Sequence, residues 1–253
     1  MRKFASLIAA LLLLIFSEAA FSCTLTIFAA ASLQSATERI TALYTANNPD
    51  TQITCNFDSS GTLKTQIMEG AECDIFISAA QKQMDALESE ELIDSSARVN
   101  LLENKIVLAS SKINPAKIES FADLGTDKLT LIALGNSDVP AGMYAQEILT
   151  AMGLWDALNH AGKISFAGNV TEVAMQVREG AADCGIIYAT DAMTHGLKVI
   201  AFPPEGTLKT PVIYPAAVIS RSSHKDEAGK FLKYLQDSES QKIFESFGFT
   251  LAK

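Results

Sequence analysis

The stretch Glu69-Gly70-Ala71-Glu72-Cys73-Asp74-Ile75-Phe76-Ile77-Ser78-Ala79 has a counterpart in the second half of the chain, Glu179-Gly180-Ala181-Ala182-Asp183-Cys184-Gly185-Ile186-Ile187-Tyr188-Ala189. Each reads as a helix stopped by glycine, a short acidic turn, and an apolar strand that ends in a hydroxyl residue. Glycine suits the stop because it enters the left-handed conformation without a Cβ penalty. Two copies of one helix-turn-strand unit predict two similar lobes whose strand ends face a shared cleft. A common turn recurring by chance is the alternative.

Outward from these units, short apolar strands alternate with amphipathic helices. Strands are expected over 25–31, 53–57 and 75–78, with helices over 35–46, 62–69 and 81–89; Ser35 and Glu38 have capping-box spacing. A strand over 105–109 would cross into a second lobe holding strands 129–134, 163–166 and 186–188 and helices 143–152 and 171–179. Further strands over 198–202 and 213–220 precede closing helices over 225–235 and 239–247. Strands separated by helices of this length form βαβ units, so the fold class is α/β with mostly parallel sheets.

The chain opens with Arg2 and Lys3, then an uncharged apolar run from Phe4 to Phe16. That run falls short of the roughly 20 residues a spanning helix needs. Residues 1–22 therefore read as a secretory signal cleaved after Ala20-Phe21-Ser22, with a retained signal anchor as the alternative. Lipidation at Cys23 is not favoured, because Ala20 and Phe21 stand where a lipobox has Leu and a small residue. Removing residues 1–22 leaves 18 basic against 28 acidic side chains, a charge of −10. Without a Lys/Arg block, neither nucleic acid nor an anionic membrane is an expected partner. Cys23, Cys55, Cys73 and Cys184 allow three disulfide pairings, and their spacing matches no zinc pattern.

In parallel α/β sheets ligands collect at the carboxyl ends of strands, where helix N-termini present free N–H groups. Four such junctions carry small or hydroxyl residues: Ala29-Ala30-Ala31-Ser32, Ser59-Ser60-Gly61-Thr62, Val139-Pro140-Ala141-Gly142 and Asn169-Val170-Thr171-Glu172. Each alone is an ordinary helix cap. Two per predicted lobe point to an anion site built from backbone and hydroxyl dipoles, which a negatively charged protein can offer. Tyr144, Trp155 and Phe166 read as packing, and Asp74, Asp183 and Asp191 as capping or interlobe hydrogen-bonding groups.

Phe28-Ala29-Ala30-Ala31-Ser32-Leu33, Ser59-Ser60-Gly61-Thr62-Leu63, Asp74-Ile75-Phe76-Ile77-Ser78-Ala79, Val139-Pro140-Ala141-Gly142-Met143-Tyr144-Ala145, Gly185-Ile186-Ile187-Tyr188-Ala189-Thr190-Asp191-Ala192 and Tyr214-Pro215-Ala216-Ala217-Val218 occur in that order, down to Phe247-Gly248-Phe249. This ordered set resembles the periplasmic molybdate-binding proteins of ABC importers. The resemblance implies a two-lobed type II binding-protein fold with the ligand cleft between lobes. It implies lobe 1 over 23–103 plus about 215–253, and lobe 2 over about 104–214. The ligand would be molybdate or tungstate, with no cofactor and no directly coordinated metal, and the partners the oxyanion and a membrane permease, the chain acting as a monomer. Carried over by motif, Ser32 and Ser60 would donate through hydroxyl and N–H, Ala141 and Val170 through N–H, and Tyr188 through its phenol. Pro140 and Gly142 would shape the Ala141 turn. Gly61 departs from the serine of some members, which relaxes the loop and leaves Ser60 in place. In this fold the first and third strands are neighbours, so a Cys23–Cys73 disulfide is expected, with Cys55 and Cys184 in different lobes and unpaired.

Sulfate, phosphate or a ferric-anion complex on the same fold is the second reading. An α/β hydrolase is a remote third, since no Gly-x-Ser-x-Gly elbow, phosphate loop, dinucleotide fingerprint or metal-ligand pair is present. The reading is therefore a binding protein and not an enzyme.

Overall fold

In a computed structural model that describes residues 23–252, the signal-segment reading of 1–22 lies outside the described residues. Along the chain come β1 (Cys23–Ala30), α1 (Gln34–Asn47), β2 (Thr51–Asp58), α2 (Ser60–Met68), β3 (Ile75–Ile77), α3 (Gln81–Ser89), β4 (Val99–Glu103) and β5 (Ile106–Ser110). They continue as β6 (Ile132–Gly135), α4 (Pro140–Ala151), α5 (Trp155–His160), β7 (Ile164–Ala167), α6 (Val170–Arg178), β8 (Cys184–Tyr188), α7 (Ala189–Thr194) and β9 (Lys198–Ala201). The chain closes with β10 (Ile213–Val218), α8 (Lys225–Tyr234), α9 (Ser238–Ser246) and β11 (Thr250–Leu251).

The strands form two sheets, ordered β11-β4-β10-β3-β1-β2 and β7-β6-β8-β5-β9. In each, the three strands wound by helices run parallel: β1 with β2 and β3, and β6 with β7 and β8. The flanks differ from the mostly parallel expectation. β10 runs antiparallel to β3 and β4, and β5 antiparallel to β8 and β9. These strands lie next to the crossings between sheets, where the chain arrives without a preceding βαβ turn that would force it parallel.

The two repeated units fold alike. α2 ends before Gly70 at φ 103° and α6 before Gly180 at φ 78°. Asp74 Oδ2 then accepts the Thr26 N–H at 2.7 Å, while Asp183 Oδ2 accepts those of Thr130 and Leu131 at 2.7 and 3.0 Å. Each carboxylate thus ties the start of its strand to the parallel neighbour. The Ser35–Glu38 capping box does not form. A single 3₁₀ turn over Ala31–Leu33 leads straight from β1 into α1, with no side-chain cap, so Ser35 already lies inside the helix.

Alternation along β1 separates two apolar layers. Leu25, Ile27 and Ala29 join the larger cluster, which also holds core residues of the second sheet, while Phe28 joins Leu63, Phe76 and Met84 beneath α2 and α3. Between the sheets, Tyr188 stacks edge to face on Tyr144 and Tyr214, with centroids 6.4 and 5.5 Å apart.

The expected Cys23–Cys73 disulfide is absent, and all four cysteines are free thiols. β1 pairs with β3 in the register Ile27 to Ile75, which sets Cys73 level with Leu25 rather than with Cys23. The two thiols also belong to different apolar layers, on opposite faces of the sheet. Cys73 Sγ turns to the Ile75 carbonyl at 3.2 Å. Burial pushes the Cys55 and Cys73 thiols up to about 12, which keeps them unreactive at neutral pH. A thiol titration of the denatured chain is expected to count four free groups. Reductant should leave the melting temperature unchanged; a count of two would show a disulfide.

Candidate functional site

The carboxyl ends of both sets of parallel strands converge on one small cavity. From the first sheet come Ala30, Ala31 and Ser32 after β1, Asp58, Ser59 and Ser60 after β2, and Ala79 after β3. From the second come Val139 and Pro140 at the start of α4, Val170 at the start of α6, and Tyr188 at the end of β8. Four predicted residues, Ser32, Ser60, Val170 and Tyr188, therefore share one cavity although distant in the chain. Ala141 is fully buried in the first turn of α4 and is not among the lining residues; its neighbour Pro140 takes that wall.

Local chemistry explains each position. Ser59 caps α2, its Oγ accepting the Thr62 N–H at 3.1 Å. This frees Ser60 to point inward, where its Oγ accepts the Ala79 N–H at 2.9 Å and keeps its own proton for another acceptor. Asn169 caps α6 by accepting the Glu172 N–H at 3.0 Å, while Glu172 returns to the Gly168 N–H at 2.8 Å. Pro140 at the first position of α4 gives up no hydrogen bond, since that N–H would be free in any helix. Three helices thus aim the positive ends of their dipoles into the cavity.

The tyrosines behave differently from the sequence expectation. Tyr188 directs its O–H to the Ala79 carbonyl at 3.3 Å, across the interface between sheets. Tyr144, read as packing, reaches the same carbonyl at 3.5 Å and that of Pro211 at 3.4 Å. Tyr214 is 3.0 Å from Ser32 Oγ and accepts from Asn104 Nδ2 at 3.1 Å. Either hydroxyl can donate in the Ser32–Tyr214 contact, so Ser32, Tyr214 and Asn104 form one continuous hydrogen-bonded chain at the cavity wall. Asn104 and Tyr214 lie at the two crossings between sheets, beyond the reach of any local motif.

No Lys, Arg or His lines the cavity among the described residues, but Asp58 does. Its Oδ1 accepts the Ser59 N–H at 2.6 Å. One carboxylate therefore stands beside the neutral hydroxyls and N–H groups expected from the sequence. A strand-end aspartate beside a helix start looks like an ordinary cap, so nothing in the local sequence marked it. A second hollow, of about 490 Å³, surrounds Asp74, Arg221 and His224. Its polar groups are engaged internally: Arg221 donates to the Ile67 and Ala71 carbonyls, and Asp74 accepts from Thr26 and Ser222.

A cavity lined by helix N-termini between two α/β sheets is the architecture of a two-lobed solute-binding protein. The chain belongs to the bacterial extracellular solute-binding protein family, whose profile matches residues 25–250. The molybdate-binding protein ModA of Haemophilus influenzae is 34% identical over 99% of both chains. A Bacillus subtilis relative, 37% identical over 90% of this chain and 86% of its own, carries the provisional name of an ABC transporter substrate-binding lipoprotein. Among solved structures, the periplasmic molybdate-binding protein of Azotobacter vinelandii superposes with a TM-score of 0.80 over 90% of this chain and 100% of that one. At 22% identity this last likeness concerns the fold alone. Among the described residues, no helix is long and apolar enough to cross a membrane.

Behind the cavity, Asp191 is fully buried next to Tyr188 and Tyr214, and its Oδ2 has no partner. Burial pushes its carboxyl up to about 7, against the lowering effect of a Thr190 hydrogen bond. Between pH about 4 and 7 the folded chain then holds a proton that the unfolded chain has released. This contribution to stability is lost as pH rises through that window and stays lost above it. Asp191→Asn is expected to be the more stable form at pH 8, on the order of a few kcal/mol. The gap should shrink toward pH 4 in urea unfolding; a gap independent of pH would refute the assignment.

Proposed function

We propose that this protein captures molybdate or tungstate outside the cytoplasm and delivers it to the membrane permease of an ABC importer, without chemical turnover. The observation that carries the reading is the cavity itself, where three helix N-termini and two serine hydroxyls converge without a cation. Such a site favours a fully ionised, dehydrated oxyanion whose every oxygen needs a donor. The ModA likeness over 99% of both chains supports molybdate as that anion.

In this reading Ser32 and Ser60 donate through hydroxyl and N–H, and Val170 and Ala141 through N–H. Tyr188 donates once its proton turns from Ala79 to the ligand. The lobes are 23–103 plus about 215–253, and about 104–214; the strand membership of the two sheets supports this division. Residues 1–22 act as a cleaved export signal, and the mature chain works as a monomer.

Asp58 favours a second reading. A carboxylate at the cavity wall repels any bound oxyanion, but it accepts a hydrogen bond from the O–H of a protonated one such as hydrogen phosphate, which molybdate lacks. Calorimetric titration with molybdate, tungstate, sulfate and phosphate separates the two. Molybdate and tungstate are expected to bind alike and far more tightly than sulfate, whose smaller radius leaves donors unpaired. Tight phosphate binding with no molybdate response would replace the first reading by the second.

Two variants sharpen the result. Ser60→Ala should weaken molybdate binding roughly 10- to 100-fold, the worth of one hydrogen bond to a charged group, and lower the melting temperature by unpairing the Ala79 N–H. Asp58→Asn should tighten molybdate binding severalfold by removing a like charge. Under the phosphate reading, Asp58→Asn would instead weaken phosphate binding.

A further inference from the structure

We propose that Asn104 and Tyr214, neither of which lines the cavity, act through Ser32 to select oxyanions that carry no proton. This deepens the oxyanion reading, on which it rests. Asn104 follows β4 at the first crossing, and its N–H donates to the Val212 carbonyl of the second crossing at 3.0 Å. Its side-chain amide has one orientation that suits its neighbours. The Lys105 N–H, which can only donate, lies 2.8 Å from one end and makes that end the oxygen. The other end is therefore Nδ2, which donates to Thr190 Oγ1 at 2.8 Å and to Tyr214 Oη at 3.1 Å. Tyr214 is fully buried near the start of β10, its ring edge to face with Tyr188 and Phe249 at centroid distances of 5.5 Å. Burial raises its phenol well above the ordinary value, so the O–H keeps its proton at neutral pH.

Without a ligand, the 3.0 Å contact between Tyr214 and Ser32 can run either way. An oxyanion without a proton settles its direction. Such a ligand only accepts, so Ser32 gives it the hydroxyl proton. Ser32 Oγ then accepts from Tyr214, whose own oxygen already accepts from Asn104. Every link from Asn104 through Tyr214 and Ser32 to the ligand points the same way, and links in one direction strengthen one another. A protonated oxyanion that offers its O–H to Ser32 reverses the last links. Ser32 then donates to Tyr214, and Tyr214 Oη receives donors from both sides while its own proton has no acceptor in the chain. A buried donor left unpaired is costly. Asn104 cannot turn over to accept that proton, because the Lys105 N–H holds its oxygen on the other side. Asn104 and Tyr214 are thus positioning residues that make Ser32 a committed donor.

Calorimetric titration at mildly alkaline pH tests this, because molybdate and the main form of phosphate then carry the same double charge and only phosphate has an O–H. Tyr214→Phe keeps the ring and removes the link. It should weaken molybdate binding roughly tenfold and leave phosphate binding within about twofold. Ser32→Ala should weaken molybdate binding roughly 10- to 100-fold, and adding Tyr214→Phe to it should cost less than about twofold more. A tyrosine that only packed would cost the same in both backgrounds. Asn104→Asp puts an acceptor where the amide donated, which turns the chain round. The added charge repels both anions alike, so the ratio of molybdate to phosphate affinity isolates the direction of the chain and should fall at least about tenfold. Asp58 is the same in every form compared, so its own preference cancels in that ratio.

Molybdate binding by Tyr214→Phe within about twofold of the unaltered protein overturns the inference. So do losses that multiply in the Ser32→Ala background, or an equal fall for both anions in Asn104→Asp. Should Tyr214→Phe not fold, Asn104→Asp decides by itself; where phosphate gives no heat in any form, the molybdate cycle of Tyr214 and Ser32 decides. If the unaltered protein binds molybdate and Ser32→Ala binds it as tightly, the oxyanion reading stands and this inference alone falls. If the unaltered protein ignores molybdate, tungstate, sulfate and phosphate, the oxyanion reading falls and takes the inference with it.

Discussion

Both polar groups of one residue, Ala79, hold the two halves of the molecule in register. Its N–H is bound by Ser60 Oγ from the neighbouring helix start, and its carbonyl receives Tyr188 and, at longer range, Tyr144 from the other sheet. A strand end buried away from water must place both groups, because an unpaired amide costs 1–3 kcal/mol or more. Satisfying them brings the first repeated unit, ending in Ser78-Ala79, head to head with the second, ending in Tyr188-Ala189. The cavity is what remains between them.

That geometry resolves an apparent conflict between charge and function. A chain with an excess of acidic residues holds an anion poorly by long-range attraction, and no cation lines the cavity to help. In the proposed reading, short-range dipoles do the work instead. Free N–H groups at helix starts cost nothing to reorganise and lose strength quickly with distance, so selectivity depends on how tightly the walls close. The backbone contact between Gly61 and Asp138, the tyrosines between the sheets and the Asn104–Tyr214–Ser32 chain all tie the two sheets together.

Local patterns revealed much of this. The helix-stopping glycines, the acidic turns and the hydroxyl strand ends marked both repeated units, because each is an interaction over fewer than a dozen residues. The serine-rich helix starts at Ser59-Ser60 and Asn169-Val170 were legible for the same reason. What local pattern missed is equally consistent. Tyr144 read as packing and Tyr214 as a strand residue, and nothing singled out Asp58 or Asn104, because the groups they meet across the cavity and between the sheets lie far along the chain. Cys23 and Cys73 looked pairable at the level of strand neighbours, yet a two-residue register offset and opposite faces of the sheet keep them apart.

The sequence by itself therefore determined the α/β alternation, the duplication of the helix-turn-strand unit, and the supply of neutral donors at helix starts. Each follows from backbone preferences and short-range hydrogen bonds. Only the tertiary structure decided which of those donors share a cavity, that a carboxylate joins them, and how near the opposing walls come. Those facts depend on the antiparallel strands beside the crossings and on long-range contacts such as that of the Gly61 N–H with the Asp138 carbonyl. No run of neighbouring residues encodes a distance between two lobes.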